Sequence, residues 1–181
     1  KWNGQGRFLL DGTKRSHLYD KVVPDSELPQ AFNPESGFLY SANNVPKYDS
    51  INTYMNGYYS EPRAHRIKHR LSSKEKLSIA DMKKMQLDNV NEVARLVIPD
   101  LMEALKGSES HSTKSQKVIQ LLNKWKGDYN KNSQGAYFYN EWWNNITQLT
   151  WDELYIQDYY LRDPDVSVLL KMIKYEKASK Y

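Results

Sequence analysis

The sequence predicts a mainly helical α+β unit with a few strands, on three observations. The first 60 or so residues are rich in Gly, Pro, Asn and Asp and hold only short apolar runs. Beyond Pro62 the apolar residues recur at helical spacing. Recognisable start and stop residues bracket each helical stretch. The chain therefore divides into a strand-and-loop segment, 1–61, and a helical segment, 62–181, which together form part of one domain.

Taken in order, Phe8-Leu9-Leu10, flanked by Gly6 and Asp11-Gly12, is the first strand candidate. Asn33-Pro34 starts a turn, and Gly37 relieves its backbone so that residues 38–42 can run extended with Phe38 and Tyr40 on one face. A short helix is expected over 63–71, with Pro62 in its first turn and Ile67 and Leu71 spaced i, i+4. Ser78-x-x-Asp81 resembles a capping box and opens a long helix with an apolar face of Met82, Met85, Val90, Val93, Ala94, Val97 and Leu101. Lys83, Lys84 and Asn91 fall on its wet side. Pro99 should break or kink that helix near Ile98, and Gly107 should end it. Residues 107–113 read as a polar linker. A further helix is expected at 114–125, stopping at Gly127, then a fourth region at 135–149 that carries Tyr137, Phe138, Trp142, Trp143 and Ile146, and a helix at 166–175 after the break Asp163-Pro164-Asp165.

Composition narrows the function. With 39% hydrophobic residues, five Trp and 14 Tyr, the chain can build an aromatic-rich core. Its net charge of +4 is modest and spread out, which argues against a nucleic-acid partner. The absence of Cys excludes disulfides and thiolate metal sites. No apolar run approaches the roughly 18 residues that span a bilayer, so no membrane partner is expected.

Two adjacent amides, Asn43 and Asn44, end the second strand candidate. A carboxamide is neutral, donates two hydrogen bonds and does not titrate, which suits it to charge that appears only in a transition state. The same residues also fit a plain polar loop. Arg63 stands at a helix start, where its charge opposes the helix dipole and so points to a specific partner. His65 and His69 have a zinc-compatible i, i+4 spacing, with Glu61 upstream, but Arg66, Lys68 and Arg70 crowd them with like charge. A solvated basic face is the better reading, and no metal is expected there. His17 and His111 stand alone.

Several modest motifs carry a resemblance by their order and spacing. They are Leu28-Pro29, Asn33-Pro34-x-x-Gly37 and Ala42-Asn43-Asn44-x-Pro46, then Pro62-Arg63-Ala64-x-Arg66-Ile67 with Leu71. Ser78-x-x-Asp81, Gln86-x-Asp88 with Ala94, Pro99 and Leu101, and Leu122-x-x-Trp125-x-Gly127-Asp128 with Ser133 and Ala136 follow. Together they resemble the large subunit of the penicillin acylase family of N-terminal-nucleophile amidohydrolases.

The resemblance implies a parent with a four-layer αββα sandwich that cleaves an amide through an acyl-enzyme, the strand near Phe38 lying in one sheet. It implies that the Asn43 amide helps form the oxyanion hole, that Asn44 fixes the loop, and that Arg63 lies beside the nucleophile, so that Asn43 and Arg63 converge. Gln86 and Asp88 match as structural residues. Family members use a Ser at the first position of the large subunit, whereas Lys1 stands first here. The resemblance thus implies a middle-to-late part of that subunit, inactive alone, whose partners are the small subunit, the nucleophile-bearing part and a small-molecule amide. It further implies a periplasmic or extracellular parent with no cofactor beyond a structural calcium, for which Asp49 and Asn52 are faint candidates. The alternative from another class is a binding module for sugars, peptides or nucleic acid, using Trp142-Trp143, Tyr159-Tyr160 or the basic stretch 68–76.

Overall fold

In the computed structural model, the residues described are 9–18, 22, 24–45, 60–106, 112–156, 159–161 and 163–175. They fall into two compact units, Lys1–Glu75 and Lys76–Tyr181.

Among its described residues the first unit holds single 3₁₀ turns at Arg15–His17 and Asp25–Glu27 and one helix, α1 (Pro62–Leu71). Pro62 occupies the first turn of α1, where its missing N–H costs no helical hydrogen bond. Ala64 and Leu71 are its buried residues. His17 is not solitary, since the Asp11 N–H donates to its Nδ1 at 3.1 Å. Both strand expectations in this unit need correction. Leu9 and Leu10 pair with no described residue, and Phe8 lies outside the described residues. Residues 38–42 alternate as a strand would, with Phe38 and Tyr40 half-buried and Leu39 65% exposed. They nevertheless pair with no described residue, so they form an extended segment without a ladder.

The second unit is helical: α2 (Ile79–Gln86), α3 (Glu92–Leu105), α4 (Thr113–Lys124), α5 (Gln134–Thr150) and α6 (Val166–Tyr175). Between α5 and α6, β1 (Tyr155–Ile156) and β2 (Tyr159–Tyr160) form a two-residue antiparallel pairing that the sequence did not announce. Four helices start on the same device. Ser78, Asn91, Ser112 and Ser133 each accept, through the side chain, the N–H three residues on. Each such cap contributes about 1 kcal/mol. At Ser78 the capping box is complete, because the Asp81 carboxylate also accepts from the Ser78 N–H at 3.0 Å.

The long helix expected from Ser78 onward is two helices, and the break falls at 87–91 rather than at Pro99. There the chain pairs with the segment after α4. The Asn91 N–H donates to the Gly127 carbonyl at 2.8 Å and the Tyr129 N–H to the Asn89 carbonyl at 3.1 Å, forming an antiparallel bridge between Val90 and Asp128. Backbone committed to that bridge cannot continue a helix. Gly127 fits because its φ of +85° suits glycine and because a Cβ would come within 3.2 Å of the Asn91 carbonyl. Pro99 lies inside α3 on the exposed side with Arg95, where water can take the carbonyl that Pro99 leaves unpaired. Asn91 is half-buried rather than wet, capping α3 and donating to the Tyr129 hydroxyl at 3.1 Å.

α3 packs on α4 and α6, and α4 on α5. Ala94, Val97, Ile98, Leu122 and Tyr139 form the core. Trp125 stands 5.5 Å from the Tyr139 ring, and Tyr139 stacks on Trp143 at 5.9 Å. Gly135 lets Trp125 lie flat on α5, since a Cβ there would sit 2.4 Å from the indole. Glu92 is buried in the first turn of α3, gripped by Arg95 through two hydrogen bonds of 2.9 and 2.7 Å. That pairing holds the guanidinium pKa above its ordinary value.

Burial also corrects the expected apolar face. Met82 is exposed and Val93 only half-buried, while Val97 is 1% exposed. Val97→Asp should therefore unfold the second unit, because it buries an unpaired charge at a cost of more than about 3 kcal/mol. Val93→Asp should lower the melting temperature by no more than half as much. Thermal melts followed by circular dichroism check this, and equal losses for the two variants would contradict the assigned face.

Candidate functional site

The first unit gathers the sequence-predicted residues at the start of α1. Leading into them, the Gly37 N–H donates to the Pro34 carbonyl at 2.9 Å, closing a turn that aims the extended segment toward Ala42. Ala42 is buried and Asn43 follows with a φ of 58°, a left-handed conformation that Asn tolerates better than most residues.

Arg63, on the first turn of α1, reaches this point with one guanidinium nitrogen. Its Nη2 donates to the Asn43 Oδ1 at 2.6 Å and to the Ala42 carbonyl at 3.0 Å. The two residues singled out from the sequence are thus in direct contact. A guanidinium has no acceptor, so the amide must present its oxygen to Arg63 and turn its Nδ2 away. No described residue accepts from that Nδ2. The result is a neutral donor on an exposed residue, its orientation fixed by a cation.

Asn44 ties the loop to itself. Its Oδ1 accepts from the Ala42 N–H at 3.1 Å and its Nδ2 donates to the Val45 carbonyl at 3.2 Å. Glu61 holds the far end, its Oε1 accepting from the Val45 N–H at 3.2 Å. Sequence reasoning weighed Glu61 only as a neighbour of His65 and missed this contact. The one available signal was its place immediately before Pro62-Arg63.

The remaining candidates lie elsewhere or carry no site. Gln86 is exposed at the end of α2, and the Asp88 Oδ1 accepts from the Val90 N–H at 3.1 Å at the helix break. His65 and His69 are exposed on α1, and no group of three metal-ligating side chains occurs among the described residues. Asp49, Asn52 and His111 lie outside the described residues. Trp142 and Trp143 pack on the core of the second unit. That unit also has a largely apolar cavity of about 380 Å³ lined by Val118, Ile119, Leu122 and Trp142. Its rim holds Lys114 and Ser115, the latter hydrogen-bonded to Ser112 at 3.0 Å. No described helix is long and apolar enough to cross a membrane.

No solved structure matches the chain at a significant level. The family model described as penicillin amidase matches residues 1–181, the whole sequence. On that match, the chain belongs to the penicillin amidase family.

Proposed function

We propose that this chain supplies the oxyanion-binding segment of an amide hydrolase that works through an acyl-enzyme. The observation that carries the proposal is the 2.6 Å hydrogen bond from Arg63 Nη2 to Asn43 Oδ1, which leaves the Asn43 Nδ2 as a donor that no described residue takes up. As the amide carbonyl is attacked its oxygen gains negative charge, and a donor already aimed at it stabilises that charge without reorganising. Arg63 polarises the carboxamide through its oxygen and makes the Nδ2–H a stronger donor. The cation itself stays one group removed from the reacting atoms. Asn44 acts on the loop rather than on substrate.

Attack falls to a residue outside the groups described above, the N-terminal Ser that the family resemblance implies, with its own α-amino group as base. The partners of this chain in the intact enzyme are then the small subunit and the nucleophile-bearing part of the large one. The segment of residues 38–42, with its strand-like alternation and no pairing to any described residue, fits a place in a sheet of the αββα fold once those parts are present. We place that enzyme in the periplasm or outside the cell on the family resemblance.

Two outcomes test this reading. The purified 181-residue chain should not turn over a chromogenic phenylacetyl or long-chain acyl amide above a protein-free blank, and turnover would sink the assignment of the nucleophile. In the intact amidase, Asn43→Ala should lower kcat about 10²–10³-fold with KM nearly unchanged, as for a contact made in the transition state. Asn43→Gly should show the same loss, since glycine accepts the left-handed backbone and so separates the missing amide from strain. An enzyme indifferent to both changes would leave Asn43 a loop residue.

A further inference from the structure

We infer that Glu61 is a positioning residue for Asn43, the second anchor of the loop that carries the oxyanion donor. This rests on the role proposed above for Asn43. Arg63 secures only the start of the loop, at Ala42 and Asn43. A segment held at one end can pivot about it, and a pivot of the backbone at Asn43 moves Nδ2 off the line a forming oxyanion needs. Glu61 removes that freedom by accepting from the Val45 N–H at 3.2 Å, three residues after Ala42.

The internal bonds of the loop carry the restraint back to Asn43. Asn44 accepts from the Ala42 N–H and donates to the Val45 carbonyl, so residues 42–45 form one hydrogen-bonded unit. The anchors flank Pro62 at the start of α1, Glu61 as its N-cap and Arg63 in its first turn, and the fixed φ of Pro62 sets their relative direction. Glu61 stands at the N-cap of α1 but makes no capping hydrogen bond with its side chain. Its carboxylate serves the loop instead of its own helix. The other oxygen, Oε2, lies 4.0 Å from His65 Nε2, one turn along α1.

The test compares variants in the intact amidase. Glu61→Ala should lower kcat about tenfold with KM within about twofold, the effect of losing one charge-assisted hydrogen bond. Glu61→Gln keeps an acceptor at the same reach and should stay within about twofold of the unchanged enzyme. Glu61→Asp suits the N-cap and keeps the charge but withdraws the oxygen by one methylene, so it should fall with the Ala variant even where Ala folds poorly. In an Asn43→Ala background, Glu61→Asp should cost nothing more, because Glu61 acts through Asn43. An unchanged kcat in Glu61→Asp, a Gln variant as damaged as the Ala one, or an undiminished loss in the Asn43→Ala background would each overturn the inference while leaving Asn43 in its role. Indifference of the enzyme to Asn43→Ala itself would instead remove the oxyanion assignment, and this inference with it.

Discussion

One guanidinium nitrogen orders the loop that carries Asn43. Arg63 Nη2 touches both the backbone carbonyl of Ala42 and the side-chain oxygen of Asn43, so a single atom fixes where the loop turns and which way the amide faces. Arg is suited to this because it can only donate, and the partner amide has one way to answer. Its charge at the start of α1 opposes the helix dipole, a mismatch of a few tenths of a kcal/mol in an exposed setting, which the two acceptors from the loop offset. The left-handed backbone at Asn43 then becomes intelligible. It presents the side chain back to Arg63 directly after the buried Ala42, and few residues other than Asn combine that backbone with an amide.

The second unit is built on a different constraint, the pairing of residues 89–91 with 127–129. That bridge stops α2, starts α3 and brings the end of α4 beside the start of α3. The Tyr129 hydroxyl, which accepts from Asn91 and donates to Asn140 at 2.6 Å, extends the tie to α5. Trp125 fills the space so defined, with its indole N–H on the Asp128 carbonyl at 2.9 Å and its ring flat on Gly135. The Tyr139 hydroxyl is buried with no hydrogen-bond partner among the described residues, and burial raises its pKa well above the ordinary phenol value. Trp125, Tyr129, Phe138, Tyr139, Trp142 and Trp143 all pack in or against this core.

Local signals were legible and relational ones were not. The capping box at Ser78, the Pro at the start of α1 and the ranges of α4 and α6 follow from residues near one another in sequence, and each falls within a residue or two of its expected place. The break between α2 and α3 was assigned to Pro99, the strongest breaker in the sequence, whereas the actual cause is a pairing with residues almost 40 positions away. Alternation at Phe38, Leu39 and Tyr40 was readable, and the Phe38 and Tyr40 rings lie 6.1 Å apart, but a strand is a property of two segments and no described residue pairs with this one. Asn43 and Arg63 could be paired only through the family resemblance. Nothing in composition or periodicity would join them, and Glu61 lacked even that guide.

The central claim is that Arg63 holds the Asn43 carboxamide with its oxygen inward and its nitrogen toward the reacting carbonyl. A crystal structure of the intact amidase bearing a tetrahedral adduct, such as a boronate or phosphonate on the nucleophile, tests it most directly. The account predicts Asn43 Nδ2 at about 2.7–3.1 Å from the adduct's oxyanion while Oδ1 remains on Arg63. An adduct oxygen held entirely by other groups, with Asn43 turned away from it or released from Arg63, would contradict the account.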